Sequence, residues 1–454
     1  MDKIIEIIKD ITKDSNCSVY IVGGYIRDKL MKTKKVLEDI DVVYEGNVIA
    51  FIEEVIRRGY NVFPLKKEMG IYRVIINGII VDVAQMKGKS IEEDLNLRDF
   101  SINAVALKLV ENKIIDPYRG REHIKSRLIH EVNEDSIKSD RIRILRAFRF
   151  AFKYGMHFSE NCEQHIKKES PYIKEYPKER IFNEFIKVID EDHHGRAFEE
   201  LERYGVLQEL IPNIEGLKKI GKCKYHIEDA FTHMNLVYKN FKDISRGGLD
   251  LLGLDIKIFY EKIGDIPIKN YVAFAAFCHD IGKVNCYKKT GDKVSFIGHD
   301  DVGAKIMRGV CEELGFPKKA ERLITTLIEA HMYPLNLCKN KVKNYKKSFY
   351  KFFSRYEENV PYILTLSYCD MHATKTLYDP DNEALVFKQY IEKLLEEYNR
   401  YKNVKENRFL DGRDIIQLTG VQGEEIKKLL EEIDKRMYYG EITNKEDAIR
   451  FLRK

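Results

Sequence analysis

The 454-residue chain has no tryptophan, and its eight cysteines include no Cys-x-x-Cys pair. The missing tryptophan says nothing about function. The scattered cysteines argue against a disulfide framework and a structural zinc site, and fit reduced thiols in a cytosolic protein. No apolar run approaches the roughly 18 residues that span a bilayer. There is no internal repeat and no proline- or serine-rich linker. The amino terminus, Met-Asp-Lys-Ile-Ile-Glu-Ile-Ile-Lys-Asp, sets acids among its isoleucines and reads as an amphipathic helix, not a signal peptide. Charge of one sign is scarce as well. Lys and Arg number 78 against 73 Asp and Glu, a net +5, which permits nucleic-acid binding without demanding it. A hydrophobic share of 44% excludes collagenous, disordered and low-complexity classes. The length predicts two to four domains.

The first 130 residues alternate short β-branched runs with helical segments. Val19 to Val22, Ile40 to Val43, Arg73 to Ile76 and Ile79 to Ala84 read as strands. Asn77-Gly78 between the last two is a hairpin signal. Beyond residue 130 the strand signal nearly vanishes, and Ile142 to Lys153, Glu179 to Asp190 and Ala320 to His331 show helical spacing. The expected architecture is an α/β head followed by a long all-helical remainder.

Gly23-Gly24 lies between the first strand and Tyr25-Ile26-Arg27-Asp28, which reads as a helix start. Such a turn lets backbone N–H groups approach a phosphate at the positive end of a helix, although alone it is equally a plain tight turn. Asp39-Ile40-Asp41 places two carboxylates at i and i+2 of a strand, on one face. Two like charges gathered there call for a cation between them, and paired Mg²⁺ ions beside triphosphate oxygens supply it. Asp82 is a candidate third carboxylate from a neighbouring strand. For an isolated Asp-x-Asp, two exposed aspartates on an edge strand would be the simpler reading.

Further motifs follow in order: Arg98-Asp99-Phe100-Ser101-Ile102-Asn103, Asp116-Pro117-Tyr118-Arg119-Gly120, Asp140-Arg141-Ile142-Arg143-Ile144-Leu145-Arg146-Ala147-Phe148-Arg149, and Glu179-Arg180-Ile181-Phe182-Asn183-Glu184. Together they closely resemble the class II tRNA nucleotidyltransferase and bacterial poly(A) polymerase family, through about residue 190. The resemblance implies a polymerase-β-like mixed-sheet head and a two-metal transfer from CTP or ATP to a tRNA 3′ end. It implies Asp39 and Asp41 as Mg²⁺-binding carboxylates, and Gly23, Gly24 and Arg27 as the triphosphate turn. Arg98, Asp99 and Asn103 would contact the sugar and phosphates, and Asp140 with Arg143 would choose the base. Positions i and i+3 share a helix face; a carboxylate there accepts from an exocyclic amino group while a guanidinium donates to ring acceptors. Arg146 and Arg149 would extend this face towards the phosphates.

The chain departs from the family between Asp82 and Arg98. Members that build the whole CCA end carry a longer flexible loop there, and Leu97 stands where the family commonly has a second arginine. C, C addition is therefore expected, with A addition weak or absent as the hypothesis this departure raises, and full C, C, A addition as the equal alternative. A poly(A) polymerase is the rival within the family; its mark would be a strongly basic C-terminal extension, and the tail ends at Arg453-Lys454 without one.

His279-Asp280, inside Ala276-Phe277-Cys278-His279-Asp280-Ile281-Gly282-Lys283, can chelate a metal ion with His233, His299, His331 and Asp370 as further candidates. The set resembles the HD phosphohydrolase superfamily and implies a transition metal such as Mn²⁺, Fe²⁺ or Ni²⁺. His226 and His372 read as outer or surface residues. An HD phosphohydrolase whose head merely binds RNA is the rival from another class. Lys339 to Arg355 interleaves lysines with aromatics and reads as an amphipathic helix burying its Phe face, its lysines left towards RNA. Gly420 and Gly423 bracket a turn that could offer N–H groups to an RNA backbone. The expected layout is a nucleotidyltransferase head at 1–130, a neck with the base-selecting helix at 131–190, body helices at 191–225, an HD domain at 226–375 and a helical RNA-binding tail at 376–454. The expected setting is cytoplasmic, with no membrane partner.

Overall fold

The computed structural model describes residues 2–12, 17–33, 39–220, 228–291, 293–340, 345–376 and 379–453. The chain divides into two compact units, one of residues 1–192 with 201–209, the other of residues 193–200 with 210–454.

The first unit is built on a mixed seven-stranded sheet. Its strands are β1 (Val19–Val22), β2 (Asp39–Tyr44), β3 (Asn61–Lys66), β4 (Ile71–Ile76), β5 (Ile79–Gln85), β6 (Ala106–Lys108) and β7 (Lys113–Ile115), in the order β3-β4-β5-β2-β1-β6-β7. Only β2 and β5 pair in parallel; the other neighbours are antiparallel. The four expected strands are present, each within two residues of its expected limits. β3, β6 and β7 were not expected. β3 is an exposed edge strand containing Pro64, and β6 and β7 have three residues each, too few for alternation to register. Asn77 and Gly78 both adopt positive φ, 51° and 79°, the twist that a two-residue hairpin requires.

Side-chain parity divides the sheet. Val19 and Ile21 of β1, Ile40, Val42 and Tyr44 of β2, and Val81 and Val83 of β5 enter one core under the helices Asp2–Thr12 and Val48–Arg57. Tyr20, Val22 and Val43 face the other way, against Ile91, Leu95 and Ala104. Asp39 and Asp41 share parity with Val43. A one-residue slip of β2 would drive both carboxylates into the apolar core, so burial on one face pins them on the other. The helices Ile142–Tyr154 and Lys178–Glu191 pack together and bury Ile144, Leu145, Phe148, Phe185 and Ile189.

The second unit is helical. Ala230–Ile244, Ile268–Cys278, Lys318–Ala330 and Val360–Lys375 pack around one another, with His299–Leu314 against Lys318–Ala330. Within Ile268–Cys278 every residue but Lys269 is buried, so this helix forms the centre of the unit. Tyr345–Tyr356 buries Phe349, Phe352, Phe353 and Tyr356, with Tyr398, Tyr401 and Tyr438 around Phe353. The aromatics of the basic segment are thus spent on packing, as the amphipathic reading anticipated. The helix after Gly423 opens with Glu424 and Glu425. Negative charge already occupies that positive helix end, which disfavours an RNA phosphate there.

The Asp116–Gly120 motif acts through packing. The Asp116 carboxylate accepts the backbone N–H groups of Gly120 at 2.6 Å and Arg121 at 3.0 Å. A Cβ at Gly120 would collide with the Ser101 carbonyl and lie 2.5 Å from Val105 Cγ2. Gly120→Ala is expected to destabilise the first unit by about 1–3 kcal/mol. Thermal unfolding followed by circular dichroism should show its midpoint falling by several degrees; an unchanged midpoint would contradict this close packing.

Candidate active and metal sites

The registers of β1, β2 and β5 assemble the first site. Asp41 lies opposite Val22 on one side and Asp82 on the other, with Asp39 two residues upstream on the same face. Because Gly23 directly follows Val22, it reaches Asp41. A Cβ on Gly23 would lie 2.8 Å from Asp41 Oδ2, and φ is +69°. Both space and backbone geometry therefore demand glycine. Desolvation raises the Asp41 pKa, the charges of Asp39 and Asp82 add to this, and Arg98 and Arg27 oppose it. A carboxylate held up by like charges is one that a cation would relieve. Asp82 has a partner already, because Arg73 donates to both its oxygens, at 2.8 and 2.9 Å.

A buried polar chain continues from the Gly23-Gly24 turn. Arg27 donates to Asp28 Oδ1 at 2.8 Å and to Asn103 Oδ1 at 2.6 Å, with its guanidinium 4.8 Å from the centre of the Tyr154 ring. Asn103 Nδ2 donates to Asp99 Oδ1 at 2.9 Å. Asp99 also accepts the Phe100 N–H at 2.8 Å and two bonds from Arg146, at 2.9 and 2.6 Å. Desolvation alone would raise the Asp99 pKa, but the Arg146 charge and the donated bonds reverse it and hold it below the usual carboxylate range. Asp99 thus orients Arg146 and Asn103. Arg98 Nε is buried without a hydrogen-bond partner, and Arg98 Nη2 stands 3.4 Å from Asp94 Oδ2.

The helix start holds the remaining candidates. Asp140 accepts from Arg180 at 2.7 Å, and Arg149 donates to Glu184 at 2.7 Å. Arg143 donates to the carbonyls of Leu97 at 2.7 Å and Arg98 at 3.0 Å, and to Ser136 Oγ at 2.8 Å. Residues that sequence reasoning left without a role, Arg73, Tyr154, Arg180 and Glu184, hold this machinery in place. Arg180 and Glu184 could have been found, since they stand four apart in a motif that was already singled out. Arg73 was equally accessible, because a two-residue turn at 77–78 makes it the partner of Asp82.

The segment between β5 and Arg98 is ordered and short. Ser90 caps the helix Ile91–Asn96 through the Glu93 N–H, Asp94 accepts the Lys87 N–H at 3.0 Å, and Ile91 and Leu95 are buried.

In the second unit, His233, His279, Asp280, His299, His331 and Asp370 converge. His233 Nε2 lies 3.0 Å from Asp370 Oδ1, His279 Nε2 3.2 Å from Asp280 Oδ2, and His299 Nε2 3.2 Å from Asp280 Oδ1 and 3.3 Å from His331 Nε2. Two triads, His233-His279-Asp370 and His279-Asp280-His331, each bring one ligand atom per residue within 4.8 Å of the others. Three imidazoles donate Nδ1–H to their own backbone three residues back: His279 to Ala276, His299 to Phe296 and His331 to Ile328. This leaves Nε2 as the inward lone pair, the tautomer a metal needs. Burial, with the neighbouring His279 and His299, lowers His331 to about 4, so it is neutral near pH 7. His279 Nε2 is buried without a hydrogen-bond partner, which a cation would satisfy, while Asp280 Oδ2 lies 2.5 Å from Lys283 Nζ. Mixed imidazole and carboxylate donors suit a divalent transition metal. His372 shares a helix with Asp370, beside Tyr368, and is in neither triad. His226 lies outside the described residues.

Comparison with known proteins agrees with this geometry. Residues 19–130 match the Poly A polymerase head domain, 155–217 the probable RNA and SrmB-binding site of polymerase A, and 255–361 the HD domain. The chain is 23% identical to the A-adding tRNA nucleotidyltransferase of Deinococcus radiodurans, over 96% of this chain and 94% of that one. It is 25% identical to the CC-adding enzyme of Thermus thermophilus, over 95% and 92%. Against the multifunctional CCA protein of Pasteurella multocida it is 29% identical over 69% and 74%. The fold matches a Thermotoga maritima CCA-adding enzyme complexed with tRNA at a TM-score of 0.65 and 19% identity, over 99% of this chain and 94% of that one. The Bacillus stearothermophilus CCA-adding enzyme in complex with CTP matches at 0.63 and 19%, over 100% and 96%. Head, RNA-binding and HD models thus follow in order over more than half of the chain, and nucleotidyltransferases align along nearly all of it; the chain belongs to the poly(A) polymerase and tRNA nucleotidyltransferase family and carries an HD domain.

Proposed function

We propose that the chain is a cytoplasmic, template-independent tRNA nucleotidyltransferase that adds two C residues to the 3′ end, with A addition weak or absent, and that its HD domain is a metal-dependent phosphohydrolase. The observation that carries the first reading is the single face that gathers Asp39, Asp41 and the Gly23 turn, beside the Asp140–Arg143 helix start. Asp39 and Asp41 would hold Mg²⁺, which when bound activates the 3′-hydroxyl and neutralises the leaving pyrophosphate. Gly23, Gly24, Arg27 and Arg98 hold the triphosphate, with Arg27 oriented by Asn103 and Asp28. Asp140 accepts from the exocyclic amino group of C, and Arg143 donates to its ring acceptors. Seven cysteines among the described residues are free, which supports a reducing setting. Among the described residues, no helix is long and apolar enough to cross a membrane. The layout we propose is head 1–130, neck 131–190, body 191–225, HD domain 226–375 and RNA-binding tail 376–454.

The restriction to C rests on the segment before Arg98. Arg143 is held by the carbonyls of Leu97 and Arg98, and that segment is a short capped helix with two buried side chains. It offers the template little freedom to re-aim from C to A. In the HD domain, His233, His279, Asp280, His299, His331 and Asp370 would hold a transition metal such as Mn²⁺, Fe²⁺ or Ni²⁺. Bound there, it would supply a hydroxide nucleophile for a phosphoester.

Primer extension on a gel tests the first reading. With CTP and ATP, a transcript ending before CCA should gain two residues, and one ending in CC should stay unextended; three added residues would remove the restriction, and long A tails would point to a poly(A) polymerase. Asp41→Ala should lower incorporation by about 10³-fold, ~4 kcal/mol of barrier, with tRNA affinity nearly unchanged in a gel-shift assay. Loss of binding together with activity would contradict the role of Asp41. For the HD site, Asp280→Ala should reduce bound transition metal at least tenfold, by plasma mass spectrometry of the metal-loaded protein, while primer extension persists. Undiminished metal content would refute this ligand set.

A further inference from the structure

A basic cleft of about 930 Å³ lies in the first unit, bordered by Met31, Arg121, Lys125, Arg127 and Tyr154 among others. Two of its acids are already engaged. Asp116 accepts the Gly120 and Arg121 N–H groups, and Glu122 accepts two bonds from Arg119 at 2.8 Å. Lys153 pairs with Glu191 at 3.3 Å. Arg121, Lys125 and Arg127 have no acidic partner among the described residues. Arg121 and Lys125 stand four apart on the exposed helix Gly120–Lys125, and so face the same way, about 5–6 Å apart at Cβ. That spacing is on the scale of successive phosphates in a nucleic-acid strand.

The backbone shows a second peculiarity at the same place. Arg119 and Arg127, at the two ends of this helix, have φ of 58° and 53°, and Lys32, next to the lining residue Met31, has φ of 54°. Glycine or asparagine adopts this conformation at less cost, yet each position carries a cation. Strain held at three cationic positions around one cleft marks a site where the side chains are needed. Bases find no open platform here. The Tyr154 ring is covered by the Arg27 guanidinium and its hydroxyl donates to Asp28 Oδ1 at 2.9 Å. Cations without a free ring fit recognition of a phosphate backbone, independent of sequence.

The cleft is tied to the transfer site by one helix. Gly24–Leu30 begins at the proposed triphosphate turn and ends at the cleft, and a seven-residue helix is about 10 Å long. We propose that Arg121, Lys125 and Arg127 form an additional docking site for the sugar-phosphate backbone of the tRNA substrate. This rests on the tRNA reading given above. The contacts hold the acceptor end close to the reaction centre and leave nucleotide binding untouched.

Fluorescence anisotropy with a labelled tRNA transcript, titrated with the full-length protein at several salt concentrations, tests the proposal. The triple variant Arg121→Glu, Lys125→Glu, Arg127→Glu should bind about tenfold more weakly at 0.15 M salt. Its plot of log affinity against log salt should be shallower by about two to three units, near 0.7–0.9 per lost phosphate contact. Its KM for CTP should match the wild type. The paired Arg121→Gln and Lys125→Gln variants, single changes on an exposed helix, should each lose about one unit of slope and cover the case of a triple variant that fails to fold. Unchanged tRNA affinity and slope in the folded variants would overturn the docking site. Extension of tRNA by the wild type is scored in parallel, so that failure of the transferase reading is recorded separately.

Discussion

The first unit depends on how one buried carboxylate is satisfied. Asp99 lies in the interior, where an unpaired charge would cost several kcal/mol. Its oxygens are instead saturated by the Phe100 amide, Asn103 and Arg146. Each of these donors belongs to a different part of the machinery. Phe100 fixes the local backbone, Asn103 reaches Arg27 beside the Gly23-Gly24 turn, and Arg146 lies on the helix that carries Arg143. The sheet side of this unit and the helix Ile142–Tyr154 are therefore set relative to one another by the needs of a single charge. A half-satisfied network would be worse than an apolar core, because every donor removed leaves the buried negative charge less compensated.

The second unit solves the opposite problem. Six potential ligands crowd together, and His279 Nε2 among them is buried without a hydrogen-bond donor or acceptor bonded to it. Lys283 Nζ lies 2.5 Å from Asp280 Oδ2 and balances part of the negative charge. Asp99 is closed by protein donors, whereas the HD cluster is left open at its centre. The first arrangement positions other side chains; the second is suited to receiving a cation.

Much of this was legible in the sequence, and what was not has a physical reason. The strands that carry Asp39, Asp41 and Asp82 announce themselves because cores on both faces of the sheet impose short, near-continuous β-branched runs. β3 escaped notice since an edge strand with Pro64 buries little, and β6 and β7 are too short to show a period. The ligands of the HD cluster could be named individually because histidine and aspartate beside apolar helices are conspicuous. The motif marks Asp99 as a candidate for the nucleotide but does not foretell that its oxygens accept from Phe100, Asn103 and Arg146. Burial of a charge is decided by tertiary neighbours such as Arg146, 47 positions away, which no local pattern contains.

The three histidines that donate to their own backbone three residues earlier share a further property. His279 and His331 directly follow the helices Ile268–Cys278 and Lys318–Ala330 and bond to their last turns, whereas His299 bonds to the Phe296 carbonyl in the loop just before its own helix; distant side chains meet these rings at Nε2. The Nδ1 side of each ring is thus fixed by the backbone three residues away and is set as soon as those segments form. An ion entering this cluster meets rings that have already surrendered their rotational freedom, so the entropy of ordering them is spent in folding and not in binding. By the same reasoning, the outer surface of this domain can vary widely without disturbing the aim of its inner nitrogens.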